Sequence, residues 1–286
     1  MYSNIVVGYD GSDEADDALA LARVLRADDG AVMAASVSED DRRPPHPGEP
    51  AGWLRSLSLT AASPRDGLLG LVERTGADLL VVGSSGRAEP GRTLAGPVGH
   101  RLVNGSPCPV AVAPRGFLSG AIRPRLVTIG FEVVDEVADA LGEGVSLARS
   151  LGAGVRLLCV VPPLPHWALE AASDAGYRRS DVERDHLSGC RHMLDEASAA
   201  IEDPHAEALM LEGRLADVLA GRTEAAGDIL VLACRGPGSR LRLSTTALDV
   251  LRSAPCPVLL TPGRESDIRS DGASGESPER RSASRR

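Results

Sequence analysis

An internal repeat constrains this sequence more than any other feature, because two copies of one pattern are expected to fold in the same way. Residues 104–112 read N-G-S-P-C-P-V-A-V, and residues 252–260 read R-S-A-P-C-P-V-L-L. Two further pairs of segments match in the same order along the chain: 4–10 with 126–132, and 78–83 with 228–233. Three matching landmarks in one order predict two copies of a single domain.

The repeat also sets the expected domain boundaries. The first domain is predicted to cover residues 1–116 and the second residues 125–263, with a linker at 117–124. Residues 264–286 are rich in Ser, Arg, Gly and acidic residues, with Ile268 as the one notable aliphatic side chain. Such a segment buries too little apolar surface to fold, so it is predicted to be a disordered tail.

Each copy alternates short Val-, Ile- and Leu-rich runs with longer helical patterns, which is typical of βαβ units on a parallel sheet. The predicted strands are 4–9, 31–37, 56–60, 78–83 and 109–113 in the first copy, and 126–131, 155–161, 205–211, 228–233 and 257–261 in the second. The predicted helices of the first copy are 12–28, 64–76 and 96–104. Ser12 is a natural N-cap for the first helix, and Glu14, Asp16 and Asp17 favour its positive end.

The copies differ between their second and third strands. The second copy has a helical segment there, at 181–201, whereas the first has a Pro-rich stretch at 40–53 that cannot form a full helix. One helix is therefore expected to be missing from the first copy, which leaves part of one sheet face thinly covered. Trp53, Leu54 and Leu57 are the candidates to cover it.

Composition narrows the possible functions. The net charge of −9 and an aromatic content of 2% argue against nucleic-acid binding. The chain has no Lys, which excludes a G-x-x-x-x-G-K-[ST] phosphate loop and Schiff-base chemistry. Its five Cys have irregular spacings that do not predict a disulfide framework. With no membrane-length apolar stretch and no visible signal peptide, a cytoplasmic protein is expected.

The most informative motif follows the fourth strand of the first copy, where nine residues separate Gly83-x-x-Gly86 from Gly96. This glycine frame resembles that of nucleotide-binding universal stress proteins, and up to about residue 263 the chain is similar to a tandem member of that family. The resemblance implies two Rossmann-like domains of the adenine nucleotide alpha hydrolase-like type, each an open parallel five-stranded sheet. It also implies a site for ATP, with Mg²⁺ only alongside the nucleotide, at these residues: Asp10, Val37, Gly83, Gly86, Gly96, Pro97 and Val98.

General physical principles lead to the same location. In an open parallel sheet, ligands bind beyond the carboxyl ends of the strands where the strand order reverses. Asp10 and Gly83 each end a predicted strand, and the resemblance makes those strands neighbours. The missing Cβ of Gly83 and Gly86 would let backbone N–H groups approach ribose and phosphate. Gly96 opens a helix whose N-terminal amides favour an anion.

The first copy departs from the family pattern at Pro97, where a hydroxyl residue is expected. Pro97 offers neither a side-chain donor nor an N–H, and two lost phosphate hydrogen bonds cost about 1–3 kcal/mol each. Arg87 or Arg92 could replace these donors electrostatically. The site is therefore expected to be partial.

The second copy departs further and is expected not to bind nucleotide. Glu132 replaces the aspartate and Ala233 replaces the first glycine. Ser244-Thr245 lies where Gly-[ST] is expected, so Thr245 keeps a hydroxyl without the glycine frame.

Three other features of the sequence suggest alternative functions. His186, Cys190 and His192 with Asp185 could form a metal site, but the helical spacing does not place His192 beside His186. Cys108 and Cys256 are expected to be buried structural thiols rather than a reactive pair. No nucleophile is matched to a base, so an enzyme is not expected, although slow nucleotide hydrolysis is a third possibility.

The sequence thus predicts a non-enzymatic stress-response protein with a partial adenine-nucleotide site in its first copy. The alternative is an interaction scaffold in which both sites have decayed. The resemblance also implies that strands 109–113 and 257–261 pair and join the copies as an intramolecular pseudo-dimer, which covers both sheet edges. A homodimer is possible, and no nucleic-acid or membrane partner is expected.

Overall fold

The computed structural model describes most of the chain. The described residues are 1–38, 52–120, 124–132, 137–201, 203, 205–221, 228–235 and 240–263. The predicted tail at 264–286 and most of the Pro-rich stretch lie outside them.

The first half of the chain alternates strands and helices as the sequence predicts. Its strands are β1 Tyr2–Gly8, β2 Arg26–Ser38, β3 Leu54–Thr60, β4 Leu79–Gly83 and β5 Val110–Ala113. Its helices are α1 Asp13–Leu25, α2 Pro64–Thr75 and α3 Pro97–Val103, followed by a 3₁₀ helix at Phe117–Gly120. The predicted N-cap is confirmed, because the Ser12 side chain accepts a hydrogen bond from Ala15 N at the start of α1.

The second half repeats this order and has additional helices between its second and third strands. Its strands are β6 Leu126–Glu132, β7 Gly154–Val161, β8 Glu207–Glu212, β9 Ile229–Arg235 and β10 Val258–Gly263. Its helices are α4 Val137–Leu151, α5 His166–Asp174, α6 Arg179–Ala199, α7 Leu215–Gly221 and α8 Thr245–Val250. The helix predicted at 181–201 is confirmed as α6, whereas the short α5 was not predicted.

The ten described strands form one sheet in the order β3-β2-β1-β4-β5-β10-β9-β6-β7-β8. Within each half the neighbouring strands are parallel, and the halves meet where β5 pairs antiparallel with β10. The predicted pairing of these two strands is confirmed, with Ala111 opposite Leu259. Neither strand is left as an open sheet edge.

Helices cover both faces of the sheet, so the central strands consist of nearly continuous apolar residues. One buried layer contains Ile5 and Ile129 of the sheet together with Leu21 of α1. The opposite layer contains Val6, Leu80 and Leu230, beneath the helices of the other face. Consecutive residues such as Ile5 and Val6 point to opposite layers because strand side chains alternate.

The strand β3 shows how the first half differs. Its residues Ser56, Ser58 and Thr60 are exposed and share a face with buried Leu54. Trp53 packs against the same layer as Leu54, as predicted, and the Arg26 guanidinium lies 5.5 Å from its ring centroid. The prediction for Leu57 was wrong, because Leu57 lies three residues after Leu54 and therefore points into the opposite layer.

The acidic residues of α1 have more specific roles than favouring the helix dipole. Asp17 is buried and accepts hydrogen bonds from Gly116 N at 2.6 Å and Leu118 N at 2.7 Å. Asp16 accepts from the Tyr9 hydroxyl at 2.9 Å. The first helix is therefore bonded to the segment that connects the two halves. The helix itself ends at Leu25 rather than 28, because β2 already begins at Arg26 beside Tyr2.

Candidate functional site

A crevice of about 450 Å³ lies beyond the carboxyl ends of β1 and β4. These two strands are neighbours at the point where the strand order of the first half reverses, which is where α/β proteins of this type bind ligands. Six of the predicted site residues line this one crevice: Asp10, Val37, Gly83, Gly86, Gly96 and Pro97. The expected adjacency of Asp10 and Gly83 is therefore present.

Asp10 is exposed at the mouth of the crevice and is oriented by its own turn. Ser12 donates to Asp10 Oδ1 twice, from its backbone N at 3.0 Å and from its hydroxyl at 2.5 Å. Gly11 completes the turn with a φ of 82°, which favours glycine. Among the described residues none donates to Oδ2, so this oxygen can accept from a ligand hydroxyl.

The glycines of the motif leave room for Glu14 of α1, a packing requirement that the sequence did not reveal. A Cβ on Gly83 would lie 2.0 Å from the backbone oxygen of Glu14, so this glycine permits α1 to approach the end of β4. A Cβ on Gly86 would lie 3.2 Å from Glu14 Oε1. The expectation that both glycines are needed for ligand approach is thus incomplete, since Gly83 is already required for helix packing.

Glu14 is the crevice residue that sequence reasoning missed. Its carboxylate lines the crevice beside Gly86 and pairs with Arg115, whose Nε lies 3.4 Å from Oε1. Arg115 also donates to Ala88 O at 3.0 Å and so holds the loop after the glycines. A carboxylate here opposes a bound phosphate, and the Arg115 charge offsets that repulsion. Only the tertiary fold brings residues 14, 86 and 115 together.

The remaining predicted residues lie elsewhere or lack donors. Arg87 and Arg92 line a separate cavity against the second half of the chain and are not among the residues that line the crevice, so their role as replacement donors stays a prediction. Pro97 opens α3 after Gly96, which makes no side-chain cap bond. Val98 lies in α3, and its side chain is outside the described residues.

The corresponding region of the second half is only partly described. Ala233 lies within β9, and Ser244 caps α8 by accepting from Ala247 N at 3.1 Å. Residues 133–136 and 236–239 and the Glu132 side chain are outside the described residues. The absence of nucleotide binding in this half therefore stays a prediction.

The histidines of α6 make contacts that differ from those of a metal site. His186 Nε2 lies 3.3 Å from Pro162 O, while His192 Nε2 lies 3.2 Å from the carboxylate of Glu196. Cys190 donates to the backbone oxygen of His186. Within the described part of the chain, no cluster of three or more His, Cys, Asp or Glu residues could hold a metal.

All five cysteines lie in the described part of the chain as buried, reduced thiols. The predicted burial of Cys108 and Cys256 is therefore confirmed. Burial raises the pKa of the Cys108 thiol to about 11 and the pKa of Cys159 and Cys256 to about 12. These thiols are protonated near neutral pH and are poor nucleophiles.

We expect a thiol reagent to modify none of the five cysteines of the native protein near neutral pH, and all five after denaturation. In alkaline solution the unfolded thiols ionise first, near 9.0, while the buried ones stay protonated. The free energy of unfolding should therefore fall as pH rises from about 9 towards 12, by up to about 1.4 kcal/mol per pH unit for each such thiol. Denaturant titrations between pH 9 and 12 measure this fall in the free energy of unfolding. Rapid modification of a thiol in the native protein would contradict the burial of the cysteines.

A parallel α/β sheet with a crevice at its reversal point defines the class of this protein, and comparison with known proteins gives its family. The model of the universal stress protein family matches residues 55–114 and 127–262. The chain belongs to the universal stress protein family. Both halves are represented in this match, as the internal repeat predicts.

Individual relatives agree with this assignment. A universal stress protein of Mycobacterium bovis is 26% identical over 208 residues, which is 69% of this chain and 68% of the relative. One from Thermus aquaticus is 26% identical over 48% of this chain and 97% of its own length. The crystal structure of a universal stress protein from Archaeoglobus fulgidus matches 90% of this chain and 97% of its own, with 15% identity and a TM-score of 0.62, so it shares the fold.

Proposed function

We propose that this chain is a non-enzymatic, cytoplasmic stress-response protein whose first half binds an adenine nucleotide weakly. The observation that carries the proposal is the convergence of Asp10, Val37, Gly86 and Gly96 on one crevice at the reversal point of the sheet. The Ser12 hydroxyl donates to the Asp10 carboxylate and accepts from Ala15 N as the N-cap of α1, which gives this pair a structural role. No helix of the described part is long and apolar enough to cross a bilayer.

The crevice offers different chemistry at its two ends. Asp10 provides a free carboxylate oxygen for ribose hydroxyls, and Val37 provides an apolar wall. At the other end the phosphates would meet backbone N–H groups near Gly86, with Glu14 opposing them and Pro97 giving no donor. The proposed site therefore favours the nucleoside part of the ligand over its phosphates, which supports weak binding. Mg²⁺ would enter only with the nucleotide.

Titration calorimetry of ATP with Mg²⁺ into the full chain tests this proposal. We expect saturable binding that Asp10→Asn weakens by about tenfold, the cost of one charge-assisted hydrogen bond. Asn keeps an oxygen for the Ser12 donors, so the turn persists. Asp13→Ala is the matched control, because this substitution also removes one negative charge. Asp13 is exposed and does not line the crevice.

The alternative function is an interaction scaffold that binds no nucleotide. Glu14 favours it, because its carboxylate stands beside Gly86 where an anion would bind. Absence of heat with ATP at millimolar concentration would support the scaffold. If the Asp10→Asn protein bound ATP as tightly as the native protein, the nucleotide would bind outside this crevice.

A further inference from the structure

A second cavity, of about 400 Å³, lies on the seam between the two halves. One wall is the loop after the glycine motif, and the other is the end of α8 in the second half. Backbone hydrogen bonds join these walls, from Thr93 N to Ala254 O at 2.8 Å and from Ala95 N to Leu251 O at 3.0 Å. The cavity is therefore built from both halves and is fixed by main-chain bonds rather than by flexible side chains.

Three arginine residues line this cavity, although the chain as a whole carries a charge of −9. Arg87 and Arg92 come from the first half, and Arg252 comes from the second. Glu89 is the one carboxylate in the lining, so positive charge dominates locally. Arginine keeps its charge at every physiological pH, and its planar fork matches the oxygens of a phosphate.

The three arginines differ in the hydrogen bonds and ion pairs that they form. Arg87 is exposed and forms no ion pair with any residue that the structure describes. Arg92 is held in place, because it donates to Ser253 O at 2.7 Å and its Nε lies 3.4 Å from Glu89. The charges therefore combine one fixed group with one that is free to turn towards a ligand.

Arg252 is only partly neutralised by its own neighbour. It lies 3.1 Å from Asp249, but that carboxylate also pairs with Arg214. One carboxylate cannot offset two guanidinium groups, so positive charge remains at the seam. Glu89, with 81% of its side chain exposed, screens Arg92 weakly.

From this arrangement we propose that the seam cavity is a binding site for a small phosphate-bearing polyanion, held by Arg87, Arg92 and Arg252. A polyanion matches the excess positive charge, and its several oxygens can accept from the N–H groups of these arginines that are not already bonded. Because the ligand would contact both halves, its binding would also hold them together. This site is independent of the nucleotide crevice, since the two share no lining residue.

Pyrophosphate is the probe for this site, titrated into the full chain by calorimetry at low ionic strength. We expect saturable binding of one equivalent, weakened about tenfold by Arg87→Gln and by Arg252→Gln, since each removes a charge-assisted contact. Arg55→Gln should have no effect, because Arg55 is exposed on β3 at the far edge of the sheet. Arg252→Lys keeps the charge without the fork, so its affinity should fall between those of the native protein and Arg252→Gln.

The variants are suited to this test because neither arginine is buried. Arg87 has no described ion-pair partner, so a folding defect of Arg87→Gln is not expected, and thermal unfolding checks this point. Arg252 belongs to the second half and does not line the crevice, so a loss in Arg252→Gln locates the anion at the seam.

Three results would overturn the proposal. The first is no saturation by roughly 10 mM pyrophosphate, ten times a millimolar dissociation constant. The second is binding that neither arginine variant weakens, which places the anion elsewhere. The third is equal affinity for succinate, which would replace a phosphate site with a general carboxylate site. If ATP does not bind, or if Asp10→Asn does not weaken its binding, the three pyrophosphate results keep their meaning. The two proposals are therefore tested separately.

Discussion

Gly83→Ala is expected to destabilise the protein by about 3 kcal/mol, because the added methyl group meets backbone rather than a movable side chain. The Cβ would lie 2.0 Å from the Glu14 carbonyl oxygen and 2.6 Å from its carbon. Relief requires α1 to shift away from β4, and the buried Leu21 of α1 belongs to the same packed layer as Ile5 of β1. Denaturant unfolding of the variant and the native protein measures the difference.

The same substitution, glycine to alanine, should have the opposite effect on stability at Gly142. That residue lies exposed within α4, and a Cβ there would meet nothing within 4 Å. Gly142→Ala should therefore stabilise the protein by about 0.5–1 kcal/mol through helix propensity. A Gly83→Ala protein as stable as the native one would show that α1 does not approach β4 this closely.

Asp17→Ala should cost about 2–4 kcal/mol, because it removes a buried charged acceptor and leaves two backbone donors without it. Both Asp17 oxygens are used, Oδ2 by Gly116 N and Oδ1 by Leu118 N. Asp17→Asn should recover only part of the loss, since one of its two terminal atoms is a donor facing another donor. Amide hydrogen exchange at Leu118 should accelerate in the Asp17→Ala protein.

Asp13→Ala is the matched control for this prediction. Asp13 lies one turn earlier on the same helix and is exposed, so its loss removes only a charge from the positive end of α1. That change is expected to cost less than about 1 kcal/mol. If the Asp13 and Asp17 variants proved equally stable, Asp17 would act only through the helix dipole, as the sequence suggested.

Much of the fold could be predicted because its signals are local and repeated. The apolar run at 78–83 predicts β4, and the matching run at 228–233 predicts β9, each within two residues of the observed bounds. The pairing of β5 with β10 followed from the resemblance and from the need to cover two sheet edges. The short α5 was missed, and none of its nine residues is buried.

The candidate site was predicted in position but not in detail. Asp10 and Gly83 were placed in one crevice because the glycine frame identified the strand ends. Glu14 was read as a residue that favours the helix dipole, whereas its carboxylate reaches Gly86 and Arg115. Arg87 was read as a replacement phosphate donor; it lines the seam cavity and not the crevice, and its role towards a nucleotide stays a prediction. Both residues have long side chains, whose direction depends on what packs around them.

The sequence by itself determined the duplication, the alternation of strands and helices and the residues at the ends of β1 and β4, because periodicity and glycine spacing are written along the chain. Only the tertiary structure decided that Gly83 makes room for a helix backbone and that Asp17 binds the connection between the halves. It also decided that arginines from both halves meet around one cavity. The physical reason is that these contacts join residues up to 161 positions apart, and their energies depend on distances that no local pattern specifies.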